Sequence, residues 1–180
     1  MRPPFVLSIN DFATPGGGLT DYAACFGTAA DFDRSNGAII PINPPQSRDA
    51  SGNPIYVSWQ GQLTLLSIAD GTSNTLMFGE KHVRPNSLRG KNEDRSVFGG
   101  QNNSIRRMAG IAANGDQRPL RPPSDQTGAL ANSSFGGPHS GVCLFVFCDG
   151  SVKPLRLGID LRTLTALITR AGGETIQGDY

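Results

Sequence analysis

The chain has 180 residues, one domain's length on the usual prior of roughly 100–200 residues per domain and enough to bury a core. Its 23 glycines and 13 prolines fill a fifth of the positions, above the average of about 12% but short of the roughly 25–30% at which disorder becomes the default. Twelve aspartates against three glutamates favour turns and caps over long helices, and a net charge of +1 with dispersed basic residues gives no electrostatic footprint for nucleic acid or an anionic membrane.

In chain order, residues 1–54 read as short extended pieces, Phe5–Ile9, Tyr22–Phe26 and Ala38–Ile42, set in turn-forming sequence. Strand signals strengthen from Ile55–Trp59. They continue through Gln62–Ala69, whose type is ambiguous, to Thr75–Lys81 after the turn Asp70-Gly71-Thr72-Ser73-Asn74. Residues 84–137 hold few large apolar side chains among Asn, Arg, Gly and Pro. They read as a long excursion over the surface, with Arg106, Arg107, Arg118 and Arg121 as a solvated basic cluster. The final third carries the clearest pattern. Val142–Cys148 is an apolar run, Asp149-Gly150 suits a two-residue type I′ turn, and Ser151–Leu157 returns, predicting a hairpin in which Cys148 faces Ser151 and Phe145 faces Pro154. Pro154 places the returning strand at a sheet edge. Asp160 then caps a helix with apolar Leu161, Leu164, Leu167, Ile168 and Ala171, which Gly172-Gly173 stop, and Glu174–Tyr180 forms a short tail or edge strand. The expected fold class is α+β: one domain spanning 1–180, an antiparallel sheet and C-terminal helix built from 55–83 and 138–180, and long irregular loops.

His82 and His139 are the first candidates for acid and base chemistry, being the only side chains whose ordinary pKa lies near neutrality. No GxSxG nucleophile turn, phosphate-cradling glycine loop or CxxC zinc spacing accompanies them, and no cofactor other than calcium is indicated. His139 and Asp149 stand ten residues apart on extended chain, roughly 20–30 Å, so they mark the two ends of one strand and cannot share an ion. Antiparallel pairing of Thr75–Lys81 with Val142–Cys148 would gather Asp70, Thr72, Asn74 and Asp149 at one end, oxygens whose first use is the capping of their own turns and which also suit calcium. Glu80 and His139 would meet at the other end, by ion pair or hydrogen bond. Cys143 and Cys148, an odd number of positions apart on a strand, point to opposite faces and cannot bridge. A disulfide from Cys25 to either needs an oxidising compartment; otherwise the three are small apolar side chains.

The same residues carry a resemblance. The run from Asp70 to Glu80, with Gly71, Ser73 and Asn74 in its turn, precedes Pro138-His139, then nine residues before Asp149-Gly150-Ser151-Val152. Ile159-Asp160 then leads to Ala171-Gly172-Gly173-Glu174, and with Tyr22–Gly27 the whole resembles the planctomycete prepilin-like family whose C-terminal domain of unknown function bears a His-x9-Asp-Gly signature. The resemblance implies an exported, pseudopilin-like surface or type II secretion-associated protein with protein partners or self-assembly, and a pseudopilin-like globular head. The chain lacks the Phe-Thr-Leu-Ile-Glu start and the apolar N-terminal helix of that family, so it reads as a head without its stalk, carrying no export signal and inserting in no membrane. The leading expectation is a non-enzymatic structural or interaction domain. An extracellular calcium- or glycan-binding module comes second, and a metal-assisted hydrolase using His139, Glu80 and His82 third.

Overall fold

A computed structural model describes residues 18–29, 35–40, 47–52, 54–55, 63–88, 92–98, 103–128 and 130–176. In chain order the strands are β1 (Tyr22–Cys25), β2 (Ser47–Arg48), β3 (Pro54–Ile55), β4 (Leu76–Glu80), β5 (Arg106–Arg107), β6 (Gly110–Ile111), β7 (Gln117–Arg118), β8 (Val142–Phe147) and β9 (Val152–Arg156), followed by helix α1 (Leu161–Ile168). Five of them make the main sheet in the order β5-β1-β4-β8-β9, in which all neighbours are antiparallel except the β1–β5 pair. Two small ribbons, β2 with β3 and β6 with β7, complete an α+β architecture. The expected Phe5–Ile9 piece and Ile55–Trp59 beyond Ile55 lie outside the described residues. Residues 37–39 form a bend where an extended piece was expected, and Leu65–Ser67 is a single 3-10 turn.

Strand β8 organises the core because its side chains alternate strictly. Cys143, Phe145 and Phe147 are buried and meet Leu155 of β9 and Leu164, Leu167 and Ile168 of α1, while Val142, Leu144 and Val146 stay half-exposed on the other face. Gly79 on β4 is required for this packing. A Cβ there would overlap the Phe145 ring, which in turn lies 5.1 Å from the Phe135 ring.

The hairpin forms with a different turn and register from those expected. Asp149 does not take the positive φ that a type I′ turn demands, Gly150 does at +85°, and the loop has three residues, Cys148-Asp149-Gly150, closed by Gly150 N–H on the Phe147 carbonyl at 3.0 Å. One extra loop residue slips the ladder by one, so Pro154 opposes Leu144, Phe145 opposes Lys153 and Cys143 opposes Leu155. The slip is dictated by burial: it puts Leu155 on the same side as the three buried β8 residues. Because Phe147 and Ser151 form a hydrogen-bonded pair (2.9 Å), Pro154 sits at a non-hydrogen-bonded position and its missing N–H faces the free edge.

The described residues of 84–137 are not a surface excursion. They supply β5 to the sheet and Met108, Ala109, Leu120, Ala131 and Phe135 to the interior, and two of the four arginines expected to be solvated are buried, Arg107 completely and Arg118 to 4% exposure. Short apolar residues interrupted by Gly, Pro and Asn leave no periodicity by which a sequence shows this. Helix α1 starts as expected, Asp160 accepting from the Arg162 and Thr163 amides, but stops at Thr169, before the glycine pair. Tertiary bonds pull the chain out of the helix. Arg170 N–H donates to the Asn36 carbonyl, its guanidinium to the Ser35 and Gly37 carbonyls, and the Asp70 carboxylate takes the Gly172 and Gly173 amides. Residues 174–176 form no strand. No helix among the described residues is long and apolar enough to cross a membrane.

Candidate functional site

β4 ends at Glu80, and the loop before β8 passes over that end. Gly136 N–H donates to the Glu80 carbonyl at 3.0 Å, and the side chain, 6% exposed, takes the Leu144 amide on Oε2 at 2.8 Å and His139 Nε2 on Oε1 at 3.1 Å. The expected meeting of Glu80 and His139 is therefore present. Gly137 makes it sterically possible, because a Cβ there would overlap Glu80 Oε2. Beside the pair opens a groove of about 550 Å³, rimmed by Tyr22, Val83, Pro85, Leu88, Pro123 and Pro138, with Glu80, His82 and His139 also on its wall.

His82 is buried, and its Nε2 lies 2.8 Å from the Asp125 carbonyl, an acceptor only, so that nitrogen carries the proton. Burial pushes its pKa below the ordinary value, with the carbonyl bond and the Asp125 charge opposing. The Asp125 loop is itself fixed, its carboxylate receiving Arg121 at 2.9 Å and the Thr127 and Gly128 amides. Of the three hydrolase candidates, two are paired with each other and the third has Nε2 committed to a backbone carbonyl.

At the opposite end of β4 the two turns meet as expected. Asp149 N–H donates to the Thr72 carbonyl at 3.0 Å and Cys148 N–H to the Thr75 carbonyl at 2.9 Å. The oxygens expected to gather there are distributed differently. The Asp70 carboxylate accepts the Gly172 and Gly173 amides at 2.7 and 2.9 Å, Asp149 Oδ1 accepts the Ser151 amide at 2.8 Å, and Asn74 donates to the Asp70 carbonyl at 3.3 Å. Among the described residues no three His, Cys, Asp or Glu side chains are placed to hold a metal. The three cysteines are free thiols, and burial pushes those of Cys25 and Cys143 up.

Behind the groove lies a charged cluster that the order of residues alone did not expose. Arg107 is fully buried and donates to carbonyls: Nε to Ser134 at 3.0 Å, Nη1 to Arg106 at 3.2 Å, Nη2 to His82 at 3.0 Å and Glu93 at 3.3 Å. Burial lowers its pKa to about 9, with the Glu93 and Asp94 charges opposing. Arg84 grips Glu93 through Nε at 2.8 Å and Nη2 at 3.1 Å. Burial raises the Glu93 pKa, and these bonds outweigh it, leaving the carboxyl below its ordinary range. Lys81 and Asp94, neither side chain exposed at all, pair at 3.3 Å. The available signal was Glu93-Asp94, the only adjacent acidic pair in the chain.

The molecule is thus a mixed α+β domain with a mostly antiparallel five-stranded sheet, whose loops carry an apolar groove floored by a histidine–carboxylate pair and backed by buried charge. The chain belongs to a family described as proteins of unknown function (DUF1559), whose model matches residues 21–162 and so covers the sheet, the groove and the start of α1. Neither the curated proteins nor the solved structures gave a match.

Proposed function

We propose that the chain is a non-enzymatic interaction domain of an exported, pseudopilin-like surface or secretion-associated protein, and that it takes a protein partner in the groove beside Glu80 and His139. The observation that carries the reading is the make-up of that groove. Tyr22 and Leu88 stand 53% and 44% exposed on its rim among prolines, an aromatic and aliphatic lining of the kind that anchors protein contacts. Its polar groups serve as fixed supports: Glu80 holds the Leu144 amide and His139, and His82 holds the Asp125 carbonyl. The exported setting rests on the resemblance carried by 70–80, 138–152 and 159–174.

The test is site-specific photo-crosslinking in the native cells. A photoreactive residue at Leu88 is expected to give a discrete protein adduct that Tyr22→Ala abolishes, while one at Asn114, exposed outside the groove, gives none. Identical adducts from both positions, or none from Leu88, would reject the reading.

A further inference from the structure

We propose that Lys81 and Asp94 become joined by an intramolecular amide bond between their side chains. Both side chains have zero exposure and their polar atoms already touch, Nζ to Oδ1 at 3.3 Å. Condensation needs the amine and the carboxylic acid, and transfer of one proton from Nζ to the carboxylate across this contact supplies both.

Both partners are held in place. Lys81 follows β4 directly, bridges to Phe135, donates its N–H to the Asp21 carbonyl at 2.9 Å and keeps Nζ on the Ser104 carbonyl at 3.2 Å. Asp94 closes the 3-10 turn Asn92–Asp94, whose Glu93 is fastened by Arg84 through the side chain and by Arg107 through the carbonyl. Holding amine and acid together in this way makes the reaction effectively unimolecular. The Asp94 charge is felt at the buried Arg107 guanidinium, and a cation within that range favours the negative charge that develops on the Asp94 carboxyl during attack.

The step balances without a co-reactant. Lys81 Nζ attacks Asp94 Cγ, a C–N bond forms, the bond from Cγ to the hydroxyl oxygen breaks, and one water leaves carrying the displaced proton. The product staples the end of β4 to the turn behind the groove, closing a covalent ring that takes in the 3-10 turns Pro85–Ser87 and Asn92–Asp94.

Intact-mass measurement on the purified, denatured full chain tests this directly. The expected mass is one water below that of the sequence, with a protease-resistant linked peptide joining the segments around Lys81 and Asp94. Lys81→Met and Asp94→Ala are each expected to restore the full sequence mass. Cyclisation at Asp70-Gly71 or Asp149-Gly150 also releases a water, so a loss that persists in Lys81→Met overturns the proposal. So does the full sequence mass in folded wild-type protein after prolonged incubation at neutral pH, which needs no variant to fold.

Discussion

Replacing Gly137 with alanine isolates the support of the groove. The new methyl would overlap Glu80 Oε2 and stand 2.8 Å from Cδ, in a place where the carboxylate has no free rotation because Leu144 N–H holds Oε2 at 2.8 Å and His139 holds Oε1 at 3.1 Å. Two relaxations compete. If the carboxylate swings out, a charge-assisted hydrogen bond worth about 1.5–3 kcal/mol is lost and the Leu144 amide is left unmet. If the loop shifts instead, the cost is that of overpacking, about 1–3 kcal/mol. Since the cheaper route is taken, the expected destabilisation is about 2 kcal/mol, a fall in Tm of roughly 4–8 °C for a chain of this size. Thermal unfolding followed by circular dichroism reads it. Gly158→Ala serves as the control, since no atom lies within 4 Å of a Cβ there and its φ is not positive. A Gly137→Ala curve superimposing on wild type, or an equal loss at Gly158, would refute the steric reasoning.

Two further outcomes follow from the same geometry. Burial lowers the pKa of His82 in the folded state, so the unfolded chain binds the extra proton first, and stability falls as pH drops from about 6.5 through the folded value. The urea midpoint is expected to decline between about pH 7 and 5, and His82→Gln to flatten that decline; an unchanged slope in the variant would contradict the assignment. Because the Asp70 and Asp149 carboxylates are engaged by backbone amides of different segments, excess calcium or chelator is expected to leave Tm unchanged. A rise of several degrees with calcium would instead mean that the ion binds the folded state.

Much of the frame was legible in residue order alone. The unbroken apolar run from Val142 to Cys148 marked β8, and Asp149-Gly150 marked its return. Asp160 before an apolar period marked the start of α1, and pairing the two best strands placed Glu80 beside His139. These features rest on local chemistry: a short apolar run bounded by turn residues, glycine's access to positive φ and an aspartate's capture of helix amides.

Only the tertiary structure decided the rest. The hairpin register turned on which face Leu155 had to bury, a fact about the opposite side of the core. The end of α1 was set by Asn36, Ser35 and Asp70, all distant in sequence, and Arg107, which reads as a solvated cation, is satisfied by four carbonyls from segments as far apart as His82 and Ser134. A charge enters a protein interior only when enough acceptors converge on it, and that convergence is a property of the folded chain that no window of its sequence contains.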